Sequence, residues 1–205
     1  MQATELKVLK EKVNNIKKRE LVGNQITLKP LNLNNYSMNY INWLNNIEIN
    51  SYLESRFTEI NKNKIEEYIN EIYSSNNSIL FGIFFNKNKN HIGNIKIGTI
   101  NWNHYFTYIG YFVGDKTLWG KGIATEAIVL ATYFSFQDLG LYKCKAGVYS
   151  TNLASIRALE KAGYAREGCF KDDLIGPKGR EDWLIYGISK NNWKINKKSI
   201  GEKNE

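Results

Sequence analysis

The stretch YFVGDKTLWGKGIATEA, residues 111–127, passes from an apolar strand pattern through paired glycines into a helical pattern. Gly120 and Gly122 stand one residue apart immediately before that helix. Glycines so spaced let successive backbone N–H groups turn inward, which forms an anion nest at a helix N-terminus. The helix dipole adds a field that favours negative charge. The local physics asks for a phosphate or pyrophosphate, although glycines before a helix also serve plain tight turns. The stretch has neither the third glycine of a dinucleotide fingerprint nor the GK[ST] ending of a Walker loop.

Outward from this stretch, strand and helix periodicities alternate along the chain. Upstream, QITLKPL (25–31) reads as a strand. NNYSMNYINWLNN (34–46) is helical, with Tyr36, Tyr40, Trp43 and Leu44 on one face. NKIEEYINEIYSS (63–75) repeats that pattern with Ile65, Tyr68, Ile69 and Ile72. Three strands follow at 78–86, 91–102 and 105–113. Downstream, IATEAIVLATYFSF (123–136) is a helix with Ala124, Ala127, Ile128, Ala131 and Phe134 facing inward. YKCKAGVYS (142–150) is a strand, and NLASIRALEKAGY (152–164) is a helix closed by Gly163 at the position where a left-handed residue is cheapest as glycine. Strands at 164–171 and 182–189 finish the pattern. The order predicts one mixed α/β (α+β) sheet with no repeat and no second domain.

The chain has 205 residues, 42% of them hydrophobic and 13% aromatic, which suffices for a real core and excludes wholesale disorder. Lys and Arg exceed Asp and Glu by 28 to 20, a net charge of +8, which suits a polyanionic partner without choosing one. Cys144 and Cys169 are the only cysteines. They exclude a disulfide scaffold and a zinc site, and read as small buried hydrophobes. The N-terminus is charged throughout and no apolar run is long enough to span a bilayer, so the expected location is cytoplasmic, away from membranes. Leu6, Leu9, Val13 and Ile16 form a short helical seam, which reads as an arm laid on its own domain or frayed, ahead of a zipper that would make a homodimer. The expected layout is an arm at 1–22, a domain at 23–190 and a basic, disordered tail at 191–205. Asparagine divides the chain: 22 of 27 precede position 104, and Asn152 is the only one between 104 and 190, which singles it out.

Three blocks in fixed order, IGYFVGD (109–115), WGKGIATEA (119–127) and TNLASIRALEKAGYAREG (151–168), resemble the GCN5-related N-acetyltransferase (GNAT) family, in particular its ribosomal-protein alanine acetyltransferase (RimJ/RimL-like) branch. The resemblance covers about residues 24–189. It implies a mostly antiparallel sheet splayed between its fourth and fifth strands, with helices on both faces, and acetyl-CoA as co-substrate. It assigns the pyrophosphate to the amides of Trp119, Gly120, Lys121, Gly122, Ile123, Ala124 and Thr125. Thr117 stands where the family has Gln or Arg. Pantetheine would lie in the splay beside Phe112 and Val113, with the Val113 amide or a neighbour as oxyanion donor. Asn152 would contact the pantetheine or acetyl arm, with helix capping assigned instead to Thr151 or Ser150. Ser155 would sit near the thioester sulfur as candidate acid, and Lys161 would reach the ribose phosphate, or else be a solvated lysine.

The family's usual base, a glutamate, is replaced by Tyr108. Substitutes are Glu54, Asp182 or a held water; a solvated loop charge is the plain reading of Glu54. Tyr108 and Tyr111 also serve as packing residues that could seat the acceptor, and His91 and His104 read as bystanders. The implied reaction is direct attack by a neutral amine, with no covalent enzyme intermediate. The resemblance suggests an amino sugar linked to a nucleotide, from surface-polysaccharide synthesis, as acceptor, with a protein N-terminus the alternative and polyamines less suited to a basic chain. The Tyr108 replacement also motivates a non-catalytic acyl-CoA-binding regulator. Nucleic-acid binding rests on charge alone and no specific motif supports it.

Overall fold

β3 (Ser78–Phe85) and β4 (His91–Gly98) are buried along nearly their whole length, which places them mid-sheet with a core on each face. The computed structural model describes Ile16 and residues 18–193. Around the central pair lie β1 (Leu21–Val22), β2 (Ile26–Pro30), β5 (Phe106–Val113), β6 (Lys143–Tyr149), β7 (Ala165–Gly176) and β8 (Gly179–Ser189). The sheet order is β1-β2-β3-β4-β5-β6-β8-β7. Every neighbouring pair is antiparallel except β5 with β6. This is the mixed, mostly antiparallel α/β sheet that was expected.

Helices α1 (Asn39–Asn45), α2 (Ile47–Asn50) and α3 (Lys62–Ser74) precede β3; α4 (Ile123–Gln137) lies between β5 and β6, and α5 (Leu153–Lys161) follows β6. On one face, Tyr40, Trp43 and Leu44 of α1 and Ile65, Ile69 and Ile72 of α3 pack on Leu80 and Phe84. On the other, Ala127, Ile128, Ala131 and Phe134 of α4 are fully buried, with Phe134 edge-on to Phe81 at 5.4 Å. A large apolar side chain buried in this way contributes roughly 1.5–3 kcal/mol. Gly163, at φ 91°, closes α5 as the sequence predicts.

The structure corrects several boundaries. The helix expected at 34–46 starts at Asn39 and breaks at Asn46, whose side chain accepts from the Glu48 amide and caps α2. The hairpin β7–β8 is longer than expected, because its charged tip lies at an exposed sheet edge where polarity does not mark a loop. Register shifts at Arg166/Gly168 and Phe170/Leu174 accommodate it. Leu21 and Val22, expected in the arm, pair with Leu28 and Thr27. Trp193, expected in the tail, packs on Phe136 at 5.4 Å, so the folded unit outruns 23–190 at both ends. Ile16 lies against the main core, while Leu6, Leu9, Val13 and residues 194–205 fall outside the described residues. Cys144 is buried but Cys169 is only partly so, with its thiol 3.6 Å from Asp182 Oδ2.

Candidate active site

β5 and β6 register at Phe106–Lys143, Thr107–Cys144 and Tyr108–Lys145, and no further. Both strands continue, β5 to Val113 and β6 to Tyr149, so a gap opens beyond Tyr108. The backbone facing it follows from alternation. Phe106 exchanges both hydrogen bonds with Asn101, and the Gly114 amide bonds Ile92 O at 2.8 Å, so even-numbered residues of β5 turn toward β4. Odd-numbered residues turn toward β6: Tyr105 O accepts from Tyr142 and Lys143. Past the last register pair, the backbone groups of Tyr111 and Val113 therefore point into the gap. Trp119 Nε1 donates to Val113 O at 2.8 Å, leaving the Val113 amide facing the opening. Phe112 does not face it: its backbone registers with Asn94 and its ring stacks on Tyr40 at 5.8 Å.

At the head of α4 the nest is formed as its glycines suggested. Gly120 and Gly122 take φ of 74° and 84°, with Gly122 as the N-cap. The amides of Gly120, Gly122, Ile123, Ala124 and Thr125 make no hydrogen bond among the described residues, and both glycines are exposed. Two expected donors are internally engaged. The Trp119 amide bonds Lys116 O at 3.2 Å and the Lys121 amide Leu118 O at 3.4 Å. Ile123 offers only its backbone, since its side chain is core. Thr117 is tied to Asp115 through both its amide and its hydroxyl. Open donors at a positive helix end beside a gap with unpaired backbone suit a phosphate-bearing thiol carrier.

Two groups bridge the split sheet, one on each face. On the α4/α5 face, Tyr111 OH lies 2.7 Å from Ser155 Oγ and 3.2 Å from Ser155 O. Burial pushes the Tyr111 phenol up to about 12. Asn152 is itself the N-cap of α5, its Oδ1 accepting from the Ser155 amide at 3.1 Å. Capping was expected of Thr151 or Ser150; instead Thr151 bonds Glu181, and Ser150 N bonds Asp182 O. On the opposite face, residues 52–56 form a strap onto β6. Tyr149 OH donates to Glu54 Oε1 at 2.8 Å, Arg56 Nη2 donates to Tyr149 OH at 3.1 Å, and Tyr52 OH meets Thr151 Oγ1 at 3.1 Å. Arg56 also holds Ile175 O on the hairpin. Burial raises the Tyr149 phenol, with Arg56 opposing and Glu54 reinforcing the rise.

The candidate bases separate. Glu54 joins the strap at the mouth of the gap. Asp182 does not: Trp183 registers with Tyr149 and its indole lies over Gly147, so alternation sends Asp182 to the other face. There Lys171 at 2.6 Å, with the Asp172 amide, holds its carboxyl below the usual range. Tyr108 sits at the last register pair, beneath Lys145, whose Nζ is 5.8 Å from its ring. Lys161 is exposed at the end of α5. Among the described residues no acidic, His or Cys cluster could hold a metal, and no helix is long and apolar enough to cross a membrane.

A family model described as the acetyltransferase (GNAT) domain matches residues 25–165. The chain belongs to the GNAT acetyltransferase family. It is an N-acetyltransferase, with acetyl-CoA as co-substrate. A probable N-acetyltransferase of Bacillus subtilis, YjcK, is 36% identical over 128 residues, 62% of this chain and 70% of its own length. The uS5 ribosomal-protein alanine N-acetyltransferase of Escherichia coli is 26% identical over 127 residues, 61% of this chain and 64% of that protein. Spermidine N-acetyltransferase from Vibrio cholerae, solved with CoA and spermine, superposes with a TM-score of 0.71 at 25% identity, covering 82% of this chain and 97% of that one. RimJ from Mycobacterium smegmatis, solved with CoA-disulfide, shares the fold with a TM-score of 0.71 at 18% identity, over 85% and 88% of the two chains.

This candidate site contains residues that sequence reasoning missed. Tyr149, the hub of the strap, read only as the end of a strand. Arg56 lies in the stretch 41–60, which the resemblance implies as the acceptor wall, but it was not singled out there. Glu181, 7% exposed, turns to the Tyr149 face, with Oε2 bonded by the Thr151 amide and hydroxyl and Oε1 buried without a partner among the described residues. Its neighbour Asp182, expected as a candidate base, lies on the other face, because the phase of that strand is set by its register with β6.

Proposed function

We propose that this N-acetyltransferase lays the pantetheine arm of acetyl-CoA along Tyr111 and Val113, with the pyrophosphate on the Gly120–Thr125 nest, and transfers acetyl to an amine presented beneath the strap. One observation carries this reading: β5 keeps unpaired backbone donors facing the opening that starts beyond Tyr108, beside an open helix N-terminus. An extended arm can bond there as an added strand. The Val113 amide would hold the thioester oxygen as charge develops on it. The amine must attack as a neutral base. An α-amine near 7.7–8.0 needs less help than a lysine-like amine near 10.4. Glu54, at the mouth, is the carboxylate placed to take its proton, directly or through water.

For the acceptor, the reading favoured is an amino sugar linked to a nucleotide. The strap offers what a sugar ring and its hydroxyls require: the rings of Tyr52 and Tyr149, 5.6 Å apart, with Glu54, Arg56 and Thr151 among them. The net charge of +8 suits the nucleotide's phosphates. A protein N-terminus is the second reading, supported by the 26% identity to the uS5 alanine acetyltransferase. Thiol release from acetyl-CoA with purified protein tests the choice, using a nucleotide-linked amino sugar, an alanyl peptide and spermidine as acceptors. The sugar should give the highest kcat/KM. Faster turnover of the peptide or of spermidine would overturn the acceptor assignment.

A further inference from the structure

Lys96 and Lys145 flank β5 on the strap side of the sheet. Lys96 registers with Gly110 and Lys145 with Tyr108, so their backbones lie roughly 12 Å apart with one strand between them. Alternation fixes the face: the Phe112 ring stacks on Tyr40 of α1, which puts Gly110 and Tyr108 on that side, and Tyr149 in the strap does the same for Lys145. Neither lysine forms an ion pair among the described residues. Each ammonium lies near aromatic rings instead. Lys96 Nζ is 5.6 Å from the centre of Tyr68, and Lys145 Nζ is 4.1 Å from that of Phe106 and 5.8 Å from that of Tyr108. Glu71 of α3 bears on the Tyr68 phenol without pairing with Lys96. A ring face attracts a cation without neutralising it, so two half-buried, uncompensated charges sit beside one opening.

Between the two lysines the floor is bare. Gly110 is exposed, and a Cβ there would meet nothing within 4 Å. Each ammonium rides a flexible stem and can reach that space by side-chain rotation. The carboxylates placed round the opening lie at its other end, Glu54 on Tyr149 and Glu181 on Thr151, beyond Lys145 along the chain. We propose that Lys96 and Lys145 hold an anionic group of the acceptor over Gly110, and so select an amine whose negative charge is remote from its nitrogen. This deepens the acceptor reading above and rests on acetyl transfer taking place under the strap. Such an acceptor spans the opening, its amine toward Glu54 and its anion toward the lysines. A nucleotide-linked amino sugar has that form, with the sugar ring between amine and phosphate. A polyamine would set its second cation against the two ammonium groups, which works against binding.

Matched acceptors test this with the full chain: a nucleotide-linked amino sugar against the same sugar without its nucleotide, and an alanyl peptide rich in glutamate against one rich in lysine. The anionic member of each pair should lead in kcat/KM by about tenfold or more. Lys96→Met combined with Lys145→Met keeps both apolar stems. It should erase that lead through KM for the acceptor, with KM for acetyl-CoA and Tm unchanged. A lead that survives the double substitution overturns the proposal and leaves the acceptor reading standing. An acidic peptide that outruns the sugar, yet loses its lead in the double variant, sinks the acceptor reading and keeps the proposal. A rise in KM for acetyl-CoA in place of that for the acceptor gives the lysines to the coenzyme phosphates and overturns the proposal. So do uncharged or cationic members turned over as fast as their anionic partners. If acetyl-CoA binds and no member of either pair is acetylated, both fall.

Discussion

At the residue scale, backbone conformation and protonation decide what individual side chains can do. Gly122 adopts φ 84°, yet a Cβ there would meet only Gln25 Nε2, at 3.9 Å. Substitution is therefore strained by torsion rather than crowding, at a cost of about 1–2 kcal/mol. Gly122→Val should fold with a modestly lowered Tm and lose coenzyme A binding by calorimetry; unchanged affinity would move the pyrophosphate elsewhere. His91, read as a bystander, is a buried structural residue. Its Nδ1 accepts from the Ser37 amide at 3.0 Å, which leaves Nε2 to donate to Asn94 Oδ1 at 2.8 Å. Burial lowers its pKa, with Asn94 and the Gly93 backbone opposing. The folded protein therefore takes up this proton less readily than the unfolded chain. The stability it contributes is full above the unfolded value near 6.5 and drains as pH falls below it. Denaturant midpoints should fall between pH 7.5 and 5.5, and less steeply in His91→Gln. Equal slopes would contradict the assignment.

At the element scale, the strap and the α5 helix clip together a sheet whose two halves share only three register pairs. Tyr149→Phe keeps the ring beside Tyr52 but removes the hydroxyl that joins Glu54 and Arg56. It should cost about 1 kcal/mol of stability and raise KM for the acceptor several-fold, with KM for acetyl-CoA unchanged. A rise in KM for acetyl-CoA alone would place the strap on the wrong side of the gap. Elements were largely legible from sequence, because periodicity and the capping glycine Gly163 report on local structure. The phase of a strand was not. Phe112 and Val113 were both expected beside the pantetheine, and Asp182 was named as a candidate base where Glu181 was not. Which of each pair meets the gap depends on register with a neighbour distant in sequence. Asn152 stood out by composition, yet its carbonyl caps α5.

At the scale of the whole molecule, the nest and the strand order were visible in the sequence because glycine spacing and element order survive without side-chain detail. The contacts of the strap were not, even though the stretch 41–60 was expected at the acceptor wall, because Tyr52, Glu54 and Arg56 meet Tyr149 only after nearly a hundred intervening residues have folded. The central claim is that the opening beyond Tyr108 receives coenzyme A as an added strand. Amide hydrogen exchange, resolved by residue along β5 with and without acetyl-CoA, tests it most directly. The amides of Tyr111 and Val113 should slow on binding, while that of Phe112, turned toward β4, should stay as it was. Binding that leaves Tyr111 and Val113 exchanging at their free rates would contradict the account.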